Sequence, residues 1–183
     1  LDEEHAYLNS AAAAEEMDFN LLTERARPFD VAIRNRTDEL AVIGLMGPCA
    51  EDVLPTGRGM RWLSACQCEL FGVPVRLLRV SYVGESGFEI HVERRHAVNL
   101  FRAIEEAGRP LGIGYYGAYS ANAMRLEKAY RAWGLDLTTE RTPMESGLSH
   151  FVKAEGRDFV GRQAMLDRPS PWDMVLLEIE TDG

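Results

Sequence analysis

The sharpest alternation of apolar and polar positions falls at residues 79–92, Arg-Val-Ser-Tyr-Val-Gly-Glu-Ser-Gly-Phe-Glu-Ile-His-Val. Phe88, Ile90 and Val92 alternate with Glu89 and His91. The pattern predicts a strand with one apolar face and a second face that carries a carboxylate and an imidazole. Gly84-Glu85-Ser86-Gly87 reads as a tight turn back to a preceding strand, its glycines free to take positive φ. On spacing alone two meanings of the polar face stay open. It is a half-buried hairpin with a solvated acidic side, or it sets a carboxylate beside aromatic residues to recognise a flat, nitrogen-rich ring.

The rest of the pattern divides into helices and strands. Ser10 is placed to cap a helix over 11–27, which Pro28 stops. Residues 29–36 alternate, residues 39–46 are more continuously apolar, and both read as strands of one sheet. Gly47-Pro48 ends that stretch, and residues 49–54 allow a short helix. Strands follow at 73–82 and 88–93, then a helix at 95–107 with Val98, Phe101, Ile104 and Ala97 on its inner stripe. A helix over 118–131 places Tyr119, Ala123, Leu126 and Tyr130 near one face, and a short helix is expected near 161–167. A last strand at 174–180 reads as part of an interrupted sheet. Strands interspersed with helices and joined by hairpins predict an α+β fold, with antiparallel or mixed sheets and packed helices.

Composition narrows the function classes. The 183 residues suffice for a real core in one domain or two small ones. A formal charge of −9 argues against nonspecific binding to nucleic acid or anionic lipid. No apolar run approaches the roughly 18 residues of a membrane span. The start Leu1-Asp2-Glu3-Glu4 has neither an initiator Met nor the basic lead of a signal peptide, and reads as that of a fragment or processed chain. Cys66-Gln67-Cys68 puts two thiols on one face of a strand, but no second pair completes a zinc site. Reduced, structural cysteines are expected, and no metal site.

Three further motifs carry possible chemistry. Gly112-Ile113-Gly114-Tyr115-Tyr116-Gly117 has the spacing of a dinucleotide fingerprint, with only a stub of strand before it and tyrosines where backbone should meet pyrophosphate. Its glycines are read as a tight lead into the following helix. Arg34 and Arg36 would share a strand face, either clamping a carboxylate or lying along the surface. Arg125 and Glu127 read as ion-pairing groups rather than catalytic ones.

Six segments in order carry a family resemblance. They are Leu45-Met46-Gly47-Pro48, Tyr82-Val83-Gly84-Glu85-Ser86-Gly87-Phe88-Glu89-Ile90, Met124-Arg125-Leu126-Glu127-Lys128, Gly134-Leu135-Asp136-Leu137, Thr142-Pro143-Met144-Glu145-Ser146-Gly147-Leu148 and Asp158-Phe159-Val160-Gly161-Arg162. The chain resembles the aminomethyltransferase family of the glycine cleavage T-protein, a folate-binding family. Tyr115-Tyr116 and Glu127-Lys128-Ala129-Tyr130-Arg131-Ala132-Trp133-Gly134 resemble the folate domains of dimethylglycine and sarcosine dehydrogenases.

The resemblance implies that Glu89 binds the pterin ring of tetrahydrofolate and that Tyr82 is an aromatic residue of the same pocket. It implies a folate partner, a small methylamine-type donor, no nucleic acid and no membrane. FAD enters only if a flavin dehydrogenase domain of the same protein lies upstream. A cytoplasmic location is implied, or the mitochondrial matrix in a eukaryote. The glycine-cleavage branch has a folate-holding arginine where this chain has Ala121. The family's catalytic aspartate lies upstream of anything matched here, so no catalytic residue is assigned and the fragment is expected to be inactive alone. Residues 1–168 are read as a partial folate-binding domain truncated at both ends, and 169–183 as the start of the barrel region or its linker.

Two rivals share the fold. One is a folate-dependent demethylase of a sulfonium or O-methyl donor. The other is a non-catalytic folate-binding module of the iron–sulfur-maintenance type, whose expected Lys-Gly-Cys segment is matched here only by the cysteine-free stretch 151–157.

Overall fold

The computed structural model describes residues 4–156, 158–168 and 172–180. The chain divides into two compact units: Glu15–Tyr130, and Leu1–Ala14 together with Arg131–Gly183. Among the described residues no helix is long and apolar enough to cross a membrane.

The larger unit is an α+β fold. Its helix α1 (Glu15–Ala26) precedes β1 (Leu40–Met46), the one-turn α2 (Ala50–Val53), β2 (Ala65–Leu70), β3 (Val73–Leu78), β4 (Gly87–Glu93), α3 (Ala97–Gly108) and α4 (Ala118–Glu127). The four strands form one antiparallel sheet in the order β1-β4-β3-β2. β4 lies between β1 and β3, so both its edges are paired, and its residues from Gly87 to Val92 are buried or half-buried. Phe88, Ile90 and Val92 point into a core shared with Leu45, Val75, Leu77, Leu100 and Ile104. The predicted alternation of β4 holds, and so does the pairing of Cys66 and Cys68 on one face of β2, against that core.

Several expectations are corrected. Residues 29–36 form no strand and are exposed. Alternation supplies a face, whereas a strand also needs a partner edge. Arg34 and Arg36 instead both clamp the carboxylate of Glu39, Arg36 Nε donating to Oε2 at 2.8 Å and Arg34 Nη2 to Oε1. The two guanidinium groups, Arg36 first, hold the Glu39 carboxyl below its ordinary range. Residues 174–180 likewise form no strand, while 169–171 and 181–183 of the segment expected to open the barrel lie outside the described residues.

The expected inner face holds in part on α3, where Ile104 is buried and Ala97 packs against the core, and fails on α4. On α3 the buried positions are Leu100, Ile104 and Gly108, at helical spacing, while Val98 and Phe101 are exposed. Gly108 is required there, because a Cβ would sit 2.7 Å from the Ile113 side chain. α4 stops at Glu127, and Tyr119, Leu126 and Tyr130 are solvent-facing. Its buried residue is Arg125, only 2% exposed. The guanidinium donates to Asn122 Oδ1 from Nε (2.9 Å) and Nη2 (2.7 Å) and to the Tyr130 carbonyl from Nη1 (2.8 Å). These bonds satisfy a charge that burial alone would make costly.

The fingerprint-like glycine segment follows a 3-10 turn (Arg109–Leu111) rather than a strand, so the dinucleotide geometry is not built.

In the smaller unit, Ala132 N–H donates to Asp136 Oδ2 at 2.8 Å and closes the turn around Gly134. Thr142 and Glu145 cap each other. The Thr142 N–H donates to Glu145 Oε2 (2.8 Å), and the Glu145 N–H donates to Thr142 Oγ1 (3.2 Å). This reciprocal pair is a capping box, and its Thr-x-x-Glu spacing is visible in the sequence. A short helix α5 (Arg162–Leu166) lies where one was expected.

Candidate functional site

The β3–β4 connection is not the tight hairpin that its glycines suggest. Pairing ends at Leu78 opposite Glu89, and residues 79–86 form a loop. Arg79 holds it in shape. Its guanidinium lies 4.6 Å over the Phe88 ring and reaches Ser86 Oγ (3.0 Å), the Gly87 carbonyl (3.4 Å) and the Glu51 carboxylate. The Arg79 backbone exchanges bonds with the turn before β2, donating to the Ser64 carbonyl at 2.8 Å. The Gly47 N–H donates to the Ser86 carbonyl at 2.7 Å, tying the loop to the end of β1. Gly84 has φ +79, and a Cβ there would fall 2.2 Å from Lys128 Cγ.

This loop sets the geometry of the two predicted site residues. Glu89 is the first β4 residue paired with β3, so its side chain stands at the mouth of the loop and is 25% exposed. Tyr82 lies within the loop and is exposed. His91, two residues on and 4% exposed, places Nε2 3.5 Å from Glu89 Oε2. The grouping of Glu89 with His91 on one face is therefore observed. Arg76 is the β3 partner of His91, and Leu78 and Gly44 are the cross-strand partners of Glu89.

One neighbour of Glu89 was not picked out for this site. Tyr116, 45% exposed, comes from the segment ahead of α4, and its hydroxyl lies 3.6 Å from where a Gly44 Cβ would be. Burial first, and then the Glu89 charge, push the Tyr116 phenol above its ordinary range. No periodicity marks Tyr116, because its segment is irregular. A Cβ at Gly44 would make no more than ordinary contact with the phenol.

A cavity of about 640 Å³ runs along the free side of β1, between it, Phe101, Glu105 and the segment 111–116. Neither Glu89 nor Tyr82 lines it, although Gly44, the β1 partner of Glu89, and Tyr116 do. Phe101 stacks on Tyr115 at 5.9 Å along one wall. Its polar side chains are Glu105, Tyr115, Tyr116 and Cys49, and the rest of the lining is apolar side chain and backbone. Among the described residues no group of three or more His, Cys, Asp and Glu side chains is placed to hold a metal ion. Cys66 and Cys68 lie on one face of β2, and burial together with Cys66 pushes the Cys68 thiol up to about 11. A thiol so raised is protonated and unreactive at neutral pH.

Fold and site together define an α+β domain whose distinctive polar group is a carboxylate carried mid-sheet at the mouth of a pinned loop. The family profile of the GCVT N-terminal domain matches residues 1–156. The chain belongs to the GCVT N-terminal domain family. It is 42% identical over 145 residues to human mitochondrial dimethylglycine dehydrogenase, covering 75% of this chain and 17% of that protein. It is 34% identical over 172 residues to the aminomethyltransferase of Streptomyces avermitilis, covering 90% of this chain and 46% of that protein. An aminomethyltransferase of Chloroherpeton thalassium is 29% identical over 99% of this chain and 51% of its own length. The chain thus spans from about a sixth to about half of the curated relatives it matches.

Proposed function

We propose that this domain binds tetrahydrofolate, with Glu89 accepting hydrogen bonds from the pterin ring and Tyr82 lining the same pocket. The observation that carries the reading is the Glu89 carboxylate itself, fixed by strand pairing on both sides yet open at the loop mouth. A pterin edge offers an amino group and a ring N–H that one carboxylate can accept together. His91 behind the carboxylate limits its rotation, and the exposed Tyr82 ring offers stacking area. Bound tetrahydrofolate would supply the nitrogen nucleophiles that accept a one-carbon unit. The chain's own residues bind and orient the ring.

The reading extends to the whole protein by way of its relatives. It is a one-carbon transfer enzyme taking an aminomethyl or N-methyl group from a small amine donor. A flavin dehydrogenase domain, with FAD, belongs to it only if this chain comes from a dehydrogenase like the dimethylglycine-specific relatives. The folate-binding part spans 1–168, with 169–183 opening the barrel region, and the catalytic acid lies outside the segment, which is inactive alone. The protein works in the cytoplasm or the mitochondrial matrix.

Replacing Glu89 with Gln keeps the side-chain shape and removes the charge. Calorimetric titration with a reduced folate should show affinity reduced about 10- to 100-fold, the worth of a charge-assisted bond. Circular dichroism should stay that of the parent. Equal affinity in the two chains would remove Glu89 from the site.

A further inference from the structure

We infer that the Tyr116 hydroxyl is a second polar contact for the ring held by Glu89, donating to the carbonyl oxygen next to the ring N–H; this rests on the reading of Glu89 above. A carboxylate accepts hydrogen bonds and cannot give one. The edge of a 2-amino-4-oxo pteridine presents two donors and, beside them, a carbonyl acceptor. If Glu89 takes both donors, the carbonyl oxygen is desolvated with no partner unless a donor stands next to the carboxylate, and an unpaired buried acceptor costs affinity.

Besides Glu89, this face of the sheet carries His91, its β3 partner Arg76, and Tyr116, with Arg76 level with His91 rather than with Glu89. His91 is 4% exposed, packed behind Glu89 and beyond the reach of a ligand. Tyr116 is 45% exposed and stands on the other side. Gly44 is directly opposite Glu89 across β1 and β4, so a Cβ at Gly44 would project from the same face as the carboxylate. The Tyr116 hydroxyl lies 3.6 Å from that Cβ position. Direct cross-strand partners have Cβ atoms about 5 Å apart, so the hydroxyl is on the face of the carboxylate and within about 9 Å of the Glu89 Cβ, a separation that one pteridine edge can span. Gly44 itself is exposed and has no side chain to block that edge. The phenol also keeps its proton, since burial and the Glu89 charge both resist ionisation, and it is therefore a donor at neutral pH. His91 and Tyr116 thus divide the work: one holds the carboxylate and the other reads the ring.

Tyr116→Phe removes only the hydroxyl and tests this on the full chain. Titration uses a reduced folate and its 4-thioxo analogue, which keeps the ring N–H for Glu89 and offers a weaker acceptor in place of the oxygen. The expected result is an affinity for the reduced folate lowered about tenfold, the scale of one neutral hydrogen bond, with the affinity for the 4-thioxo analogue lowered no more than about threefold. The thermal midpoint should not move. Unchanged affinity for the reduced folate overturns the contact, and so does an equal loss for both ligands, which would make Tyr116 a wall rather than a donor. The reading of Glu89 fails separately. In that case the parent chain does not bind the reduced folate, or Glu89→Gln binds it as well as the parent, whatever Tyr116→Phe does.

Discussion

Glu145 is buried and organises the segment around it. Its carboxylate is buried, accepts from the Thr142 N–H and hydroxyl, and has Arg168 (3.8 Å) and Arg141 (3.9 Å) nearby. The Thr142 N–H leads in holding its carboxyl below the ordinary range, against the opposing effect of burial. A carboxyl lowered in the folded state gives stability that is full above its unfolded value, about 4.3, and is lost as the pH falls through the lower folded value. The turn 142–148 should therefore stay closed down to about pH 4 and open below it. Protection of the Thr142 amide against hydrogen exchange measures this. In Glu145→Gln the amide should already be less protected at neutral pH, with no acid step left. Equal protection at pH 7 would show that the charge is idle. The Thr-x-x-Glu spacing is present in the sequence, but the segment reads there only as a motif of the family, and the reciprocal bonds are seen only in the structure. Arg125 reads as a pairing group rather than a catalytic one, but spacing ranks apolar residues, so it does not show that this hydrogen-bonded guanidinium is the inward face of α4.

At the scale of elements, β1 and β4 were legible because their patterns coincide with real partners, whereas α3 was legible as a helix with only Ile104 and Ala97 of its expected stripe against the core. The stretches 29–36 and 174–180 show the same apolar content without a strand beside them. The loop 79–86 was hidden for another reason. Its glycines suit a tight turn, but Arg79 engages Glu51, Ser86 and the Phe88 ring, and those contacts draw the chain away from β3. Phe88 is the pivot between loop and core. It is fully buried, and a Cβ added at Gly57, in the 3-10 turn Pro55–Gly57, would lie 2.4 Å from its ring. Gly57→Ala should therefore cost about 1–3 kcal/mol by overpacking, read as a lower urea midpoint at unchanged slope. Phe88→Leu makes room at the same place, so the double substitution should cost less than the two singles added. Strict additivity would show that the ring and the turn do not press on each other.

For the whole molecule, every residue of the buried hydrophobic cluster lies between Leu45 and Ile104, inside the unit Glu15–Tyr130. That unit also contains the complete sheet, the Arg79 network, and Glu89, Tyr82, His91 and Tyr116. Hydrophobic burial is the dominant favourable contribution to folding, so a segment that keeps the entire cluster keeps most of what drives its own collapse. Such a segment is also within the size range of ordinary autonomous domains. Residues 15–130 expressed alone should then fold and unfold cooperatively, with a urea midpoint matching the principal transition of the full chain. The slope should be smaller in proportion to the surface left out. A segment 15–130 that is unfolded or molten in the absence of denaturant would contradict this, because it would mean that the cluster needs support from residues outside the unit. If it folds, the platform that carries Glu89 is built without the rest of the chain. Reduced-folate titrations of the segment and of the full chain would then divide the affinity between that platform and whatever the remaining residues add.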